Sequence, residues 1–121
     1  MRTSASRTIR RLLLGVLGML GVASTADAMR HVIDGQVGPR GRRTHALHVG
    51  LEDYWLTVRG NGRTDLDCWV YDSYGELVDS DTDETDYCIL ETPGVGTHRL
   101  VIRNFGGRTN YYTIRQLVSL D

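Results

Sequence analysis

The sequence predicts an all-β protein, an antiparallel β-sandwich (jelly-roll-like) of about seven to eight strands, preceded by a signal-peptide helix. Three observations predict it. After residue 28, apolar and polar residues alternate in short runs instead of recurring at helical spacing. Those runs are rich in β-branched and aromatic residues. Turn-forming Gly, Asn, Asp and Pro separate them at short intervals, the spacing of a sandwich or small barrel.

The runs follow one another along the chain. Residues 29–43 have no clear period and carry Gly35, Gly38, Pro39 and Gly41, so they read as a lead-in segment with one short edge strand at His31 to Ile33. The sandwich proper then occupies residues 44–121. His45 to Val49 alternates, and Tyr54 to Arg59 sets Tyr54, Leu56 and Val58 opposite Trp55, Thr57 and Arg59. Gly60-Asn61-Gly62 breaks that run. Leu66 to Asp72 sets Leu66, Cys68 and Val70 opposite Asp67, Trp69 and Tyr71. Ser73 to Glu76 is a turn, and Leu77-Val78 begins the return strand ahead of an acidic stretch, Asp79 to Asp86. Tyr87 to Thr92 ends at Pro93-Gly94. His98 to Asn104 is the longest alternating run, and Tyr111 to Val118 follows the Gly106-Gly107 turn.

Residues 1–28 have a different character. Four arginines and no acid precede an apolar run from Leu12 to Ala23, which closes on Ala26-Asp27-Ala28. This order of basic, apolar and small-x-small segments is that of a secretory signal peptide. The apolar run is shorter than the roughly 18 to 20 residues that span a bilayer as a helix. Residues 29–121 keep ten arginines against fourteen carboxylates, a net charge of −4. A mildly acidic domain is poorly suited to nucleic acid, whose phosphates demand a basic face. The segment is also only just long enough to bury a useful core.

A resemblance emerges from several motifs in order. They are Thr64 to Asp72 (TDLDCWVYD), Gly75-Glu76-Leu77-Val78 with Asp79-Ser80-Asp81, Tyr87-Cys88-Ile89-Leu90 before Thr92-Pro93, Gly96 to Arg103 (GTHRLVIR), and Gly106-Gly107 ahead of Asn110 to Ile114 (NYYTI). Together with Gly35-Gln36-Val37, Thr44 to Val49 and Tyr54 to Gly60, they resemble the bacterial pre-peptidase C-terminal domain, related to the collagen-binding domains of clostridial collagenases. The likeness runs from about Asp34 to Leu117. It implies a β-sandwich without an active site, which aids secretion or maturation or binds matrix polymers, some relatives also binding calcium. No peptidase accompanies the module here, which favours a binding or structural role.

Three groups of residues carry candidate chemistry. Cys68 and Cys88 most simply pair in an exported chain, as a cross-strand or cross-sheet staple, the alternative being two buried free thiols. Asp79, Asp81 and Asp83 alternate as the first ligands of a calcium loop do, with Asp65 and Asp67 able to approach from a neighbouring loop. The loop's glycine and its downstream bidentate glutamate are missing, and a solvated acidic loop is the alternative. Trp55, Trp69 and Tyr71 share outward phases if Leu56, Cys68 and Val70 point inward, and would then form a platform for a sugar ring or an extended peptide. Alternation does not say which face is buried.

No histidine pair has chelating spacing, and no serine sits in a Gly-x-Ser-x-Gly setting, so the chain reads as no enzyme. The expected function is that of a secreted module binding an extracellular polymer, protein or polysaccharide, with Ca2+ assisting. The alternative is an accessory protein docking in trans onto another secreted protein. A monomer is expected, in the periplasm or outside the cell, without nucleic acid and without membrane contact after signal removal.

Overall fold

A computed structural model describes residues 29–120. The signal-peptide reading of residues 1–28 lies outside them. Eight strands make up the regular structure: β1 (Met29–Val37), β2 (Arg42–Val49), β3 (Trp55–Arg59), β4 (Leu66–Tyr71), β5 (Leu77–Asp81), β6 (Tyr87–Glu91), β7 (Gly96–Asn104) and β8 (Asn110–Leu117). They form two four-stranded antiparallel sheets, the first ordered β1-β8-β3-β6 and the second β2-β7-β4-β5. Within the described residues no helix is long and apolar enough to cross a membrane.

The pairing β1·β8, β2·β7, β3·β6 and β4·β5 is that of one long antiparallel ribbon doubled back at the β4–β5 turn. Rolling this ribbon brings β8 against β3 and β7 against β4, which completes the jelly roll. The turn that doubles it back is built by Asp72. Its Oδ1 accepts the backbone N–H groups of Tyr74 and Glu76, each at 2.9 Å, while Gly75 takes the left-handed conformation (φ 84°).

The strand phases follow the alternation of the sequence. Leu56, Val58, Leu66, Cys68, Val70, Leu90, Leu100 and Ile102 all lie in the buried cluster between the sheets. Two segments depart from expectation. The lead-in 29–43 is part of the sandwich: β1 is an edge strand of the first sheet and β2 begins at Arg42. Its period was hidden because Gly35 occupies an inward position between Ile33 and Val37. Gly35 lies directly across from Tyr112, and a Cβ there would stand 2.7 Å from that ring. The glycine admits the aromatic ring and does not break the strand. The acidic stretch Asp79 to Asp86 is likewise divided, since β5 runs through Asp81 before the loop begins.

Buried asparagines fix the loops at one end. Asn104 donates to the carbonyls of Val37, Gly38 and Arg108 at 3.2, 3.1 and 2.7 Å. Asn110 donates to Thr64 Oγ1 at 2.9 Å and accepts the Asn61 N–H at 3.2 Å. Both are fully buried, so each bond replaces one lost to water.

Cys68 and Cys88 form a disulfide with Cα atoms 6.3 Å apart. Cys68 belongs to β4 of the second sheet and Cys88 to β6 of the first, so the bridge is a cross-sheet staple. It closes a 20-residue separation. The change Cys68→Ala is therefore expected to destabilise the oxidised domain by about 2 to 4 kcal/mol. Chemical denaturation of the variant and of reduced wild type checks this. Equal midpoints for oxidised and reduced wild type would refute it.

Candidate functional site

The outer face of the second sheet gathers arginine and aromatic side chains around an open depression. Register places them in rows across three strands. Arg42, Arg103 and Asp67 form one row, Thr44, Val101 and Trp69 the next, and Ala46, Arg99 and Tyr71 the third. On the β5 side, Ser80 extends the Trp69 row and exposed Leu77 the Tyr71 row. Arg42, Thr44, Trp69, Tyr71, Arg99, Val101 and Arg103 line an open depression of about 530 Å3. Trp69 and Tyr71 are half-buried in it, and the three arginines are exposed. The Arg99 guanidinium lies over the Tyr71 ring at 4.9 Å, and that of Arg103 over the Phe105 ring at 4.6 Å. Each contact holds a charge over an aromatic face and narrows the positions the arginine samples.

The face has one carboxylate in these rows, and it is unusual. Burial pushes the Asp67 carboxyl up to about 6, with the neighbouring charges of Asp65, Asp81 and Asp83 adding to the shift and Arg103 opposing it. Asp65 is raised as well, first by burial and then by Glu84, Asp86 and Asp83. The carboxylates crowd one another, which destabilises the charged forms.

The acidic residues named from the sequence serve different ends. Asp79 Oδ2 accepts the Glu91 N–H and Asp81 Oδ2 the Ile89 N–H, each at 2.8 Å. Asp79 Oδ1 takes the Ser80 N–H at 2.8 Å, and Asp81 Oδ1 the Asp83 N–H at 3.3 Å. β5 and β6 are the edges of different sheets, so these carboxylates stand in for the missing ladder between them. Asp83 is exposed in the β5–β6 loop. Asp65 and Asp67 approach it, as the calcium reading required, but among the described residues no group of three or more His, Cys, Asp or Glu is gathered to hold a metal. The five-aspartate calcium set therefore does not fit. Its two central members are turned inward onto backbone N–H groups.

Trp55 also departs from expectation. Its ring is fully buried, on the face of β3 opposite Leu56 and Val58. β3 is covered on both faces, from Trp55 through Val58, so its outward phase does not make a surface. Trp69 and Tyr71 alone remain of the aromatic platform, and the arginines beside them were not singled out from sequence. Arg99 and Arg103 do share a phase on β7 in the sequence. Their place beside Trp69 and Tyr71 required the β4·β7 pairing, which no local pattern announces.

Two histidines, His45 and His98, are engaged within the sandwich, while His48 is exposed. His45 Nε2 lies 2.7 Å from the Tyr112 hydroxyl, and burial, then the Arg43 charge, lowers its pKa. His98 is buried, with Nδ1 3.0 Å from the Gly96 carbonyl.

No family model and no curated protein matches the chain. Solved structures do match its fold. The crystal structure of PirA is 18% identical, with a TM-score of 0.52 over 72% of this chain and 97% of the other. The crystal structure of PliG from Aeromonas hydrophila, a periplasmic inhibitor of g-type lysozyme, is 11% identical, with a TM-score of 0.52 over 79% of this chain and 91% of the other. At these identities the likeness is one of fold.

Two expected outcomes follow from the carboxylates. Asp81→Ala leaves the Ile89 N–H without its acceptor, so unfolding free energy should fall by about 1 to 3 kcal/mol, as read by urea denaturation in chelator. A loss seen only when calcium is present in the wild-type sample would instead indicate a metal role. For Asp67, the folded protein keeps a proton between about pH 4 and pH 6 that the unfolded chain has released. Stability from this group is thus complete below about pH 4 and is lost as pH rises through 6. Asp67→Asn should raise the melting temperature at pH 7, with the gain shrinking toward zero near pH 4. A pH-independent difference in melting would contradict that account.

Proposed function

We propose that this protein is an exported, non-catalytic binding module that holds an extracellular polymer on the outer face of its second sheet. The observation that carries the reading is the depression itself. Two aromatic rings on a rigid central strand form its floor, with guanidinium groups around them. Rigid aromatic planes offer contact area at little entropic cost, and a shallow open trough suits a polymer more than an enclosed small molecule. The disulfide supports an oxidising destination, in agreement with a leader that reads as a signal peptide. The non-catalytic reading is supported by His45 and His98, which are held by Tyr112 and by the Gly96 carbonyl.

A second reading, docking in trans onto another secreted protein, is favoured by the opposite kind of surface. Leu51, Tyr74 and Val95 are 81%, 90% and 57% exposed. They lie on the β2–β3, β4–β5 and β6–β7 turns, which topology gathers at one end: Val49 faces Gly96, and Thr92 bonds to the Tyr54 and Asp53 carbonyls at 3.0 and 2.7 Å. Projecting apolar tips of this sort suit insertion into a partner's cleft. The fold is shared with a protein inhibitor of a lysozyme, which supports the same direction.

Cosedimentation with insoluble extracellular polymers, polysaccharide and protein, separates the two. Under the polymer reading, Trp69→Ala and Tyr71→Ala each weaken binding at least tenfold while the melting temperature stays near wild type. A Leu51→Ser, Tyr74→Ser double variant leaves it intact. The reverse pattern, with g-type lysozyme inhibited by wild type and not by the loop variant, would establish docking instead.

A further inference from the structure

We propose that the ligand of the second sheet's outer face is a carboxylate-bearing polysaccharide, its sugar rings lying on Trp69 and its carboxylates on Arg42, Arg99 and Arg103, with Tyr71 backing Arg99. This deepens the polymer-binding reading and rests on it. Charge is the first argument. The whole chain has a net charge of −1, yet three guanidinium groups meet on this face against the single carboxylate of Asp67. Such local enrichment in a chain without net positive charge selects a partner of the opposite sign.

Geometry narrows the partner. Arg99 and Arg103 are four residues apart on β7, or roughly 13 Å at ~3.3 Å per residue. Trp69 sits in the row between them, and Arg42 stands directly across from Arg103. A chain lying along β7 would meet a charge, then an aromatic plane, then a charge. Arg99 and Arg103 are steadied by the rings of Tyr71 and Phe105, so their forks are set to take carboxylates bidentately at reduced entropic cost.

A peptide is served less well. Peptides that add to a sheet use an open edge, but β7 and β4 are each paired on both sides. What the face offers is flat rings and fixed charges. Polymers of dense charge are also disfavoured. A strand of nucleic acid would bring far more phosphates than three arginines neutralise, beside Asp65, Asp67 and Asp83. Carboxylates spaced one per sugar or per disaccharide match the sparse basic rows.

The test is isothermal titration of the oxidised protein with polygalacturonate, alginate and hyaluronate, against neutral dextran, methyl-esterified polygalacturonate and polyglutamate. At least one carboxylated polysaccharide should bind tenfold or more tightly than the neutral polymers and polyglutamate, and should weaken at 0.5 M salt. Arg99→Gln should cut that affinity at least fivefold and Trp69→Ala at least tenfold, with melting temperatures unchanged. If neutral and carboxylated polymers bind equally, or if Trp69→Ala acts and Arg99→Gln does not, the inference falls while the polymer-binding reading stands. Tighter binding of polyglutamate would replace it with an acidic peptide. No binding to any of these polysaccharides would overturn the inference, and only the further absence of cosedimentation with protein polymers would overturn the polymer-binding reading as well.

Discussion

The seam between β5 and β6 is the constraint on which the remaining structure depends. These strands close the sandwich, yet each is the edge of a different sheet, so no continuous ladder joins them. The disulfide ties β6 covalently to β4, the neighbour of β5, and the carboxylates of Asp79 and Asp81 cross the gap itself through hydrogen bonds to the Glu91 and Ile89 backbone. The bond to a charged acceptor is strong, and the buried N–H groups would be costly to leave unmet. The seam therefore does two things. It ties the sheets together, and it denies a template edge to any passing strand.

Holding the seam with aspartates has an electrostatic consequence. Burial raises the carboxyls of Asp65 and Asp67, and the neighbouring carboxylates add to it, Asp81 at Asp67 and the loop acids Asp83, Glu84 and Asp86 at Asp65. The negative potential of that corner borders the arginine rows at Asp67, where it meets Arg103. The outer face of the second sheet is consequently bounded by an acidic rim on one side and by exposed Leu77 and the β4–β5 turn on the other. A ligand of the kind proposed for that face would be steered by charge along the strands, with the aromatic rings as contact area.

The opposite seam, between β1 and β2, is held without carboxylates, by His45, Tyr112 and Asn104, with the Arg43 guanidinium beside Tyr112. Tyr112 fills the place left by Gly35 and reaches across to His45 of the second sheet. Asn104 binds the β1–β2 turn to β7. The two seams explain why a chain with so small a core is still well determined: each buried polar group that joins the sheets has a named backbone or side-chain partner, and mispairing would orphan it.

Sequence by itself determined the fold class and which residues of β4 and β7 share a face, and it made a Cys68–Cys88 pair the simplest reading, while leaving open which face is buried. Strand alternation is local, so Leu66, Cys68 and Val70 could be set against Trp69 and Tyr71 without knowing any neighbour. What it could not determine was anything requiring two strands at once. Gly35 looked like a breaker until Tyr112 stood opposite it, and Asp79 and Asp81 looked like metal ligands until β6 supplied their donors. Trp55 shared the phase of a surface residue and proved buried, because coverage of a sheet face is decided by whatever packs on it. The arginines of β2 and β7 joined Trp69 and Tyr71 only through the rolling of the ribbon. Tertiary structure alone decided the site, since residues more than twenty positions apart become neighbours through registers that long-range packing sets.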